Sequence, residues 1–236
     1  TRNISNRDKF QEVIFKVNTK GFTLDNPQTE IKATVLQNYR WDNAKMEIKP
    51  QFLALNELNF DFNGVLTFPT AGREFRFFDM RSLRFRGQNI RAFDIKEDEN
   101  DVYLLYDRPT IPYKYQMTKD LNGQLYIDNL DNPDYNHAAD YANVHFNFDF
   151  GGTVSNGSFY VIGSFNNWTC DEHSKLYYNN LDKSYAANLL LKQGTYNYMY
   201  VFKNDDDGKV DQFTTESYYT DTENDYTILL YYTPFG

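Results

Sequence analysis

Val144–Phe150 reads VHFNFDF. Val144, Phe146, Phe148 and Phe150 fall on one side of an extended chain, and His145, Asn147 and Asp149 on the other, which is the signature of a half-buried β-strand. Working outward, Val13–Val17, Ile31–Gln37, Leu58–Phe62, Ile90–Ile95 and Val102–Tyr106 fit the same strand template better than a helical period. One segment competes for helix, Ser184–Lys192. The Gly194 that follows it and the alternation of Tyr196, Tyr198 and Tyr200 predict a strand hairpin there instead.

Turn chemistry points the same way. Asn63-Gly64 and Asn122-Gly123 are two-residue hairpin loops by composition, because both residue types tolerate the positive φ of a type I′ turn, and Asp206-Asp207-Gly208 reads likewise. Turns every 10–20 residues between short apolar runs predict an all-β chain of antiparallel sandwiches. The polar segment Asn129–Asn143, with Pro133 inside it, predicts a boundary between two tandem sandwich domains at residues 1–133 and 134–236.

Composition supports strands and removes several function classes. Among 236 residues there are 20 Tyr, 20 Phe and 2 Trp, the residue types that suit a pleated surface. A formal charge of −9 opposes association with phosphate backbones and anionic lipid, so neither nucleic acid nor membrane insertion is expected. One cysteine, Cys170, excludes an internal disulfide framework, and three scattered histidines (His137, His145, His173) give no metal-ligand spacing. No apolar run is long enough for a membrane-spanning helix, and residues 1–10 lack the apolar core of a signal peptide.

No catalytic motif stands out. The serine-hydrolase elbow, the zinc HExxH and both glycine-rich nucleotide loops are missing. Cys170 is flanked by Thr169, Asp171 and Glu172, which disfavour a thiolate, so it reads as structural even with His173 nearby. Asn204–Gly208 imitates a calcium loop, yet aligning its glycine puts Lys203 at the first ligand position and Thr214 at the last. The expectation is a protein with no catalytic residues, no metal and no cofactor.

Two features remain for binding. Arg73, Arg76, Arg81, Arg84, Arg86 and Arg91 crowd one stretch of an acidic chain, interleaved with Phe75, Phe77, Phe78, Phe85 and Phe93. Arginine and aromatic side chains dominate interface hot spots, so this band is a candidate partner surface, with strand-exterior arginines paired to Glu74, Asp79 and Asp94 as its alternative. In Gly157–Thr169, GSFYVIGSFNNWT, a strand ends at Gly163 and an Asn166-Asn167 turn presents Trp168, either to stack on a sugar ring or to close one end of a sandwich.

From Val161 to Phe202, VIGSFNNW through LLLKQGTYNYMYVF, the chain resembles the early-set, glycogen-binding type of β-sandwich. That family's sugar-contacting Lys falls at Met199, and its second stacking Trp has no counterpart, since Trp41 lies in the first half. Only Trp168 carries over, which implies weak glucan binding at most. Over its whole length the chain resembles the plug proteins of the Bacteroidetes type IX secretion system. The resembling stretches are LQNYRWDN (36–43), FPTAGREFRFFDMRSLRFR (68–86), LLLKQGTYNYMY (189–200) and TENDYTILLYYTPFG (222–236). The resemblance implies a fragment of a longer secreted, periplasmic, non-enzymatic protein whose partner is the outer-membrane translocon barrel, which it occludes. A carbohydrate-binding module acting through Trp168 is the second expectation.

Overall fold

The computed structural model describes residues 4, 7–54, 56–62, 64, 66–70, 74–110, 120–132, 134 and 138–234. Strands dominate, as the alternation predicts, and the helical content among the described residues is confined to single turns such as Pro27–Glu30, Ser164–Asn166 and Phe213–Glu216. The strands are β1 (Phe10–Glu12), β2 (Phe15–Asn18), β3 (Ile31–Gln37), β4 (Lys45–Ile48), β5 (Phe52–Ala54), β6 (Glu57–Phe60), β7 (Thr67–Pro69), β8 (Arg76–Asp79) and β9 (Ile90–Ile95). They continue with β10 (Asn100–Leu104), β11 (Leu125–Ile127), β12 (Tyr141–Phe148), β13 (Gly157–Ile162), β14 (Tyr177–Asn179), β15 (Ser184–Lys192), β16 (Gly194–Asn204), β17 (Val210–Asp211) and β18 (Tyr226–Tyr232).

The chain divides into two compact units, but not at residue 133. One unit combines Thr1–Thr70 with Tyr219–Gly236, and the other is Ala71–Tyr218. The expected tandem boundary fails because strands from both sides of it share sheets. β9 and β10 lie in one sheet with β12, β15 and β14, while β8 and β11 both pair with β16. The described residues of that polar segment are tied to the unit rather than hanging as a linker: the Asn129 amide donates to the Ala138 carbonyl, and Asp131 accepts from the Ser82 hydroxyl and the Leu83 N–H. Polarity there marks a surface loop rather than a domain junction.

In the unit Ala71–Tyr218 two sheets contribute to one core. The first has the order β14-β15-β12-β10-β9; in the second, β16 pairs with β11, β13, β8 and β17. From β12 the core takes Val144, Phe146 and Phe148, as the alternation predicts, and from β16 it takes Tyr196, Tyr198 and Tyr200. Ring pairs lock the two sets together, Phe148 stacking on Tyr200 at 4.4 Å and Phe146 meeting Tyr198 edge-on at 5.3 Å, while Phe78 of β8 stacks on its cross-strand neighbour Tyr196 at 5.0 Å. Such pairs add about 0.5–1.5 kcal/mol each beyond simple burial.

Two pairing expectations need correction. β15 and β16 do not form a hairpin, since each pairs with other strands in a different sheet. A single residue, Gln193, separates them, too few for a hairpin loop. Its buried amide instead accepts from the Asp140 N–H at 2.9 Å and carries the chain from one sheet to the other. Gly194 takes the next position because a Cβ there would lie 2.5 Å from the Tyr126 carbonyl oxygen. The sheet is also not wholly antiparallel, because β10 and β12 run parallel, with Val102 opposite Val144.

Of the predicted turns, Asn122 and Gly123 both have positive φ (48° and 81°), as a type I′ turn requires. Asp206-Asp207-Gly208 joins β16 to β17 as a true hairpin, with Lys203 opposite Val210. Asn63 lies outside the described residues, and the strands flanking it, β6 and β7, pair with other partners rather than with each other.

The other unit contains the sheets β18-β3-β4, β2-β6-β5 and β1-β7. β3 has β18 on one side and β4 on the other, which explains why all its residues except Lys32 are buried. Ile31, Ala33, Leu58 and Phe60 form one apolar cluster and Val35, Leu66 and Phe68 a second.

Candidate partner interface

The arginine band separates into parts with opposite fates, and Arg73 lies outside the described residues. Arg76 begins β8, whose pairing with β16 sets Arg76 opposite Tyr198. Its guanidinium reaches Asp107 at 2.8 Å and Glu216 at 2.9 Å, donates to the Arg108 carbonyl at 2.7 Å, and sits over the rings of Phe148 and Tyr200. Burial opposes its charge, yet the two carboxylates outweigh that cost and hold its pKa above the usual arginine value. Asp107 also accepts the hydroxyls of Tyr198 and Tyr200, at 2.7 and 3.0 Å. Those phenols are buried, and desolvation together with Asp107 pushes their pKa values well up.

This network satisfies the polar ends of core tyrosines. It leaves Arg76 no role at a surface, a correction to the expected partner site. The acids that matter, Asp107 and Glu216, are not the local ones expected from sequence, and strand pairing brings them in from 31 and 140 residues away.

Arg81 is half-exposed and bound by a local acid, as the alternative reading expects. It makes two hydrogen bonds to Asp79, at 3.0 and 2.7 Å, and lies 3.6 Å from Asp128. Its hydrogen bond to Asp79 raises the arginine pKa. At Asp79 burial pushes the carboxyl up, but the Arg81 side chain, backbone N–H and charge push it further down. Arg81 too is a weaker interface candidate than its position in the band implies.

Arg84 and Arg86 remain, and both are exposed. Between them Phe85 is 77% exposed. The expected apolar anchors are placed otherwise: Phe75 and Phe78 are buried, and Phe77 is half-buried. The turn that carries Arg84-Phe85-Arg86 is pinned on both sides. The Ser82 hydroxyl accepts from the Arg84 and Phe85 N–H groups while donating to Asp131 at 2.6 Å. On the far side, Gly87 packs so closely that a Cβ would sit 2.1 Å from the Asp79 carbonyl oxygen, and the Asp79 N–H donates to the Gln88 carbonyl. The Arg86 guanidinium donates to the Arg91 carbonyl at 2.9 Å. An exposed aromatic flanked by two cations on a preorganised turn has the composition of a hot spot, and little conformational freedom is left to lose on docking.

Trp168 is 8% exposed and belongs to a cluster with Phe75, Ile162, Met199 and Val201. The predicted Asn166-Asn167 turn is present, with Asn167 and Trp168 both at positive φ, but it turns the indole inward. Gly123 makes room for it, since a Cβ there would lie 2.9 Å from the ring. The sugar-stacking role of Trp168 is therefore corrected: no face of the ring is open to a pyranose. Cys170 is half-buried at the margin of the same cluster.

Among the described residues no group of three or more His, Cys, Asp or Glu could hold a metal ion, and no helix is long and apolar enough to cross a membrane. No protein-family model matches the chain, and no curated protein matches it. Its fold is similar to the crystal structure of a hypothetical protein from Parabacteroides merdae ATCC 43184, with a TM-score of 0.87 and 33% identity over 99% of this chain. The chain spans 58% of the length of that structure.

Proposed function

We propose that this chain is part of a non-enzymatic, periplasmic protein that binds and occludes the outer-membrane translocon of type IX secretion. We read each unit as an immunoglobulin-like sandwich, with the early-set type in Ala71–Tyr218. Support comes from the four stretches that resemble plug proteins, spread from residue 36 to residue 236. The observation that carries the reading is the pinned turn, which holds Phe85 out to solvent between Arg84 and Arg86 in an otherwise acidic protein. A plug needs a stiff body with an adhesive face, and a turn of this kind supplies the face. Guanidinium groups would donate charge-assisted hydrogen bonds to acidic groups on the barrel's periplasmic rim, with Phe85 as the apolar anchor.

The test is co-purification of the full-length natural protein with outer-membrane complexes, from a deletion strain complemented with wild type or with an Arg84→Glu/Phe85→Ala/Arg86→Glu variant. Loss of association with an unchanged thermal melt supports the reading. Unchanged association removes this turn from the interface, and failure of the wild-type protein to associate with any translocon overturns the plug assignment.

A further inference from the structure

The outer face of the sheet β14-β15-β12-β10-β9 carries a polar-aromatic groove whose lining includes neither Trp168 nor the side chains of the arginine turn, although Arg86 donates to the carbonyl of Arg91 at one end of it. Two hollows, of about 250 and 760 Å³, share Asn179, Ala186 and Asn188 in their walls and so run into one another. Tyr185, Ala187, Leu189 and Leu191 of β15 pack on the core, which turns the alternate residues Ala186 and Asn188 outward, where the small Ala186 leaves a depression. Strand register lines up Asn188, His145 and Tyr103 across β15, β12 and β10, and sets Tyr177 of β14 opposite Ala186. The groove thus crosses the strands, and five strands at about 4.8 Å spacing give it a length of roughly 19 Å.

Its lining has unspent hydrogen-bonding capacity. Asn147 is only 8% exposed and lines the smaller hollow, yet its side-chain amide makes no hydrogen bond among the described residues. Its amide opens into the hollow rather than being sealed from solvent, so a ligand hydroxyl can take the place of water there. Asn188 is exposed in the same wall and likewise makes no side-chain hydrogen bond among the described residues. Arg91 lies over the rings of Tyr103 and Tyr106, at 5.7 and 5.2 Å, with no carboxylate partner among the described residues. Tyr177 and Tyr106 offer exposed rings on opposite sides of the shared floor.

We infer that this groove binds a chain of pyranose sugars. Apolar ring faces would rest on Tyr177 and Tyr106, and hydroxyls or carboxylates would take the amides of Asn147 and Asn188 and the guanidinium of Arg91. A polypeptide strand fits less well, because the groove runs across the sheet and offers no free strand edge along its length. The site is independent of the plug reading, since it contains neither Arg84, Phe85 nor Arg86.

The test is affinity electrophoresis of the whole chain in gels holding xyloglucan, mixed-linkage β-glucan, galactomannan or polygalacturonate, followed by calorimetry on the polymer that retards it. Retardation by at least one polymer is expected, with affinity weakened at least about tenfold by Asn188→Ala or Tyr106→Ala and left unchanged by Leu190→Ala, which lies on the same face outside the groove. Circular dichroism checks that each variant is folded. If polygalacturonate alone binds, Arg91→Gln should abolish it, which assigns the guanidinium to a sugar carboxylate. No retardation in any gel overturns the inference, as does retardation that ignores both groove variants or that disappears entirely in 0.5 M salt, the mark of unspecific charge attraction.

Discussion

Arg76 and Arg84 stand eight positions apart in one basic, aromatic stretch, and their environments are opposite. The first lies over core rings, largely covered and shared between two carboxylates, and the second projects into solvent beside an exposed phenyl ring. What separates them is long-range pairing. β8 joins β16 and thereby meets Asp107 and Glu216, whereas the chain beyond Asp79 leaves the sheet and folds over Ser82. Identical side chains thus reach opposite settings, cohesion at one place and, on the proposed reading, adhesion at another, and four perturbations measure how complete that division is.

The largest effect is expected from Arg76→Ala. It leaves the buried Glu216 and the half-buried Asp107 without their cation, and breaking a buried pair from one side costs about 3–5 kcal/mol. Urea unfolding should show a much lower midpoint; a loss below about 1 kcal/mol would place Arg76 with the surface arginines after all. Next is Gly87→Ala, where the added methyl meets the Asp79 carbonyl oxygen and must displace the turn. Such overpacking costs about 1–3 kcal/mol, and on the proposed reading translocon co-purification should weaken although Arg84, Phe85 and Arg86 are unchanged.

A smaller effect follows from Asp79. Its folded pKa lies below the unfolded value, so its contribution is fully present above the unfolded pKa of about 3.9 and is lost as pH falls through the lower folded value. The stability gap between wild type and Asp79→Asn should therefore stay constant from pH 7 to about 5 and shrink below about 4. A gap independent of pH down to 2.5 would show that the Arg81 pairing contributes nothing. The smallest effect on stability belongs to Arg84→Glu/Arg86→Glu, which should shift it by only about 0–1 kcal/mol per charge while, on the proposed reading, abolishing translocon capture.

Local pattern reveals some of this molecule and hides the rest. The inward set of β12 is readable in VHFNFDF because alternation has a period of two and depends on nothing distant. The Asn122-Gly123 turn is readable for the same reason, since positive φ is a property of those residues themselves. Partner choice between strands is not local. Ser184–Asn204 is readable as two strands once Gly194 and the tyrosine alternation are weighed against the helical competitor at Ser184–Lys192, yet only Gln193, a single residue between them, betrays that they enter different sheets. The boundary near residue 133 misleads because polarity signals exposure, and an exposed loop tied by Asp131 looks the same in sequence as a linker. In the arginine band, the exposure of Phe85 and the burial of Phe75 and Phe78 follow from register and turn packing, which composition cannot rank. The amides of the groove fall on three different strands and form no motif at all.

The split unit also constrains the order of events during synthesis. β18 pairs with β3 along seven residues, Tyr226 with Gln37 through Tyr232 with Ile31, so a strand made after the whole of Ala71–Tyr218 completes a sheet begun before it. Closing a loop of that length is slow in topological terms, and until it closes β3 has one edge bare on the ribosome. Ala71–Tyr218 is fully translated before β18 emerges and can fold as a unit in the interval, shortening the effective span that β18 must bridge. A chain truncated after Tyr218 and released from the ribosome should accordingly protect the inserted segment from protease while leaving residues 10–69 open to it.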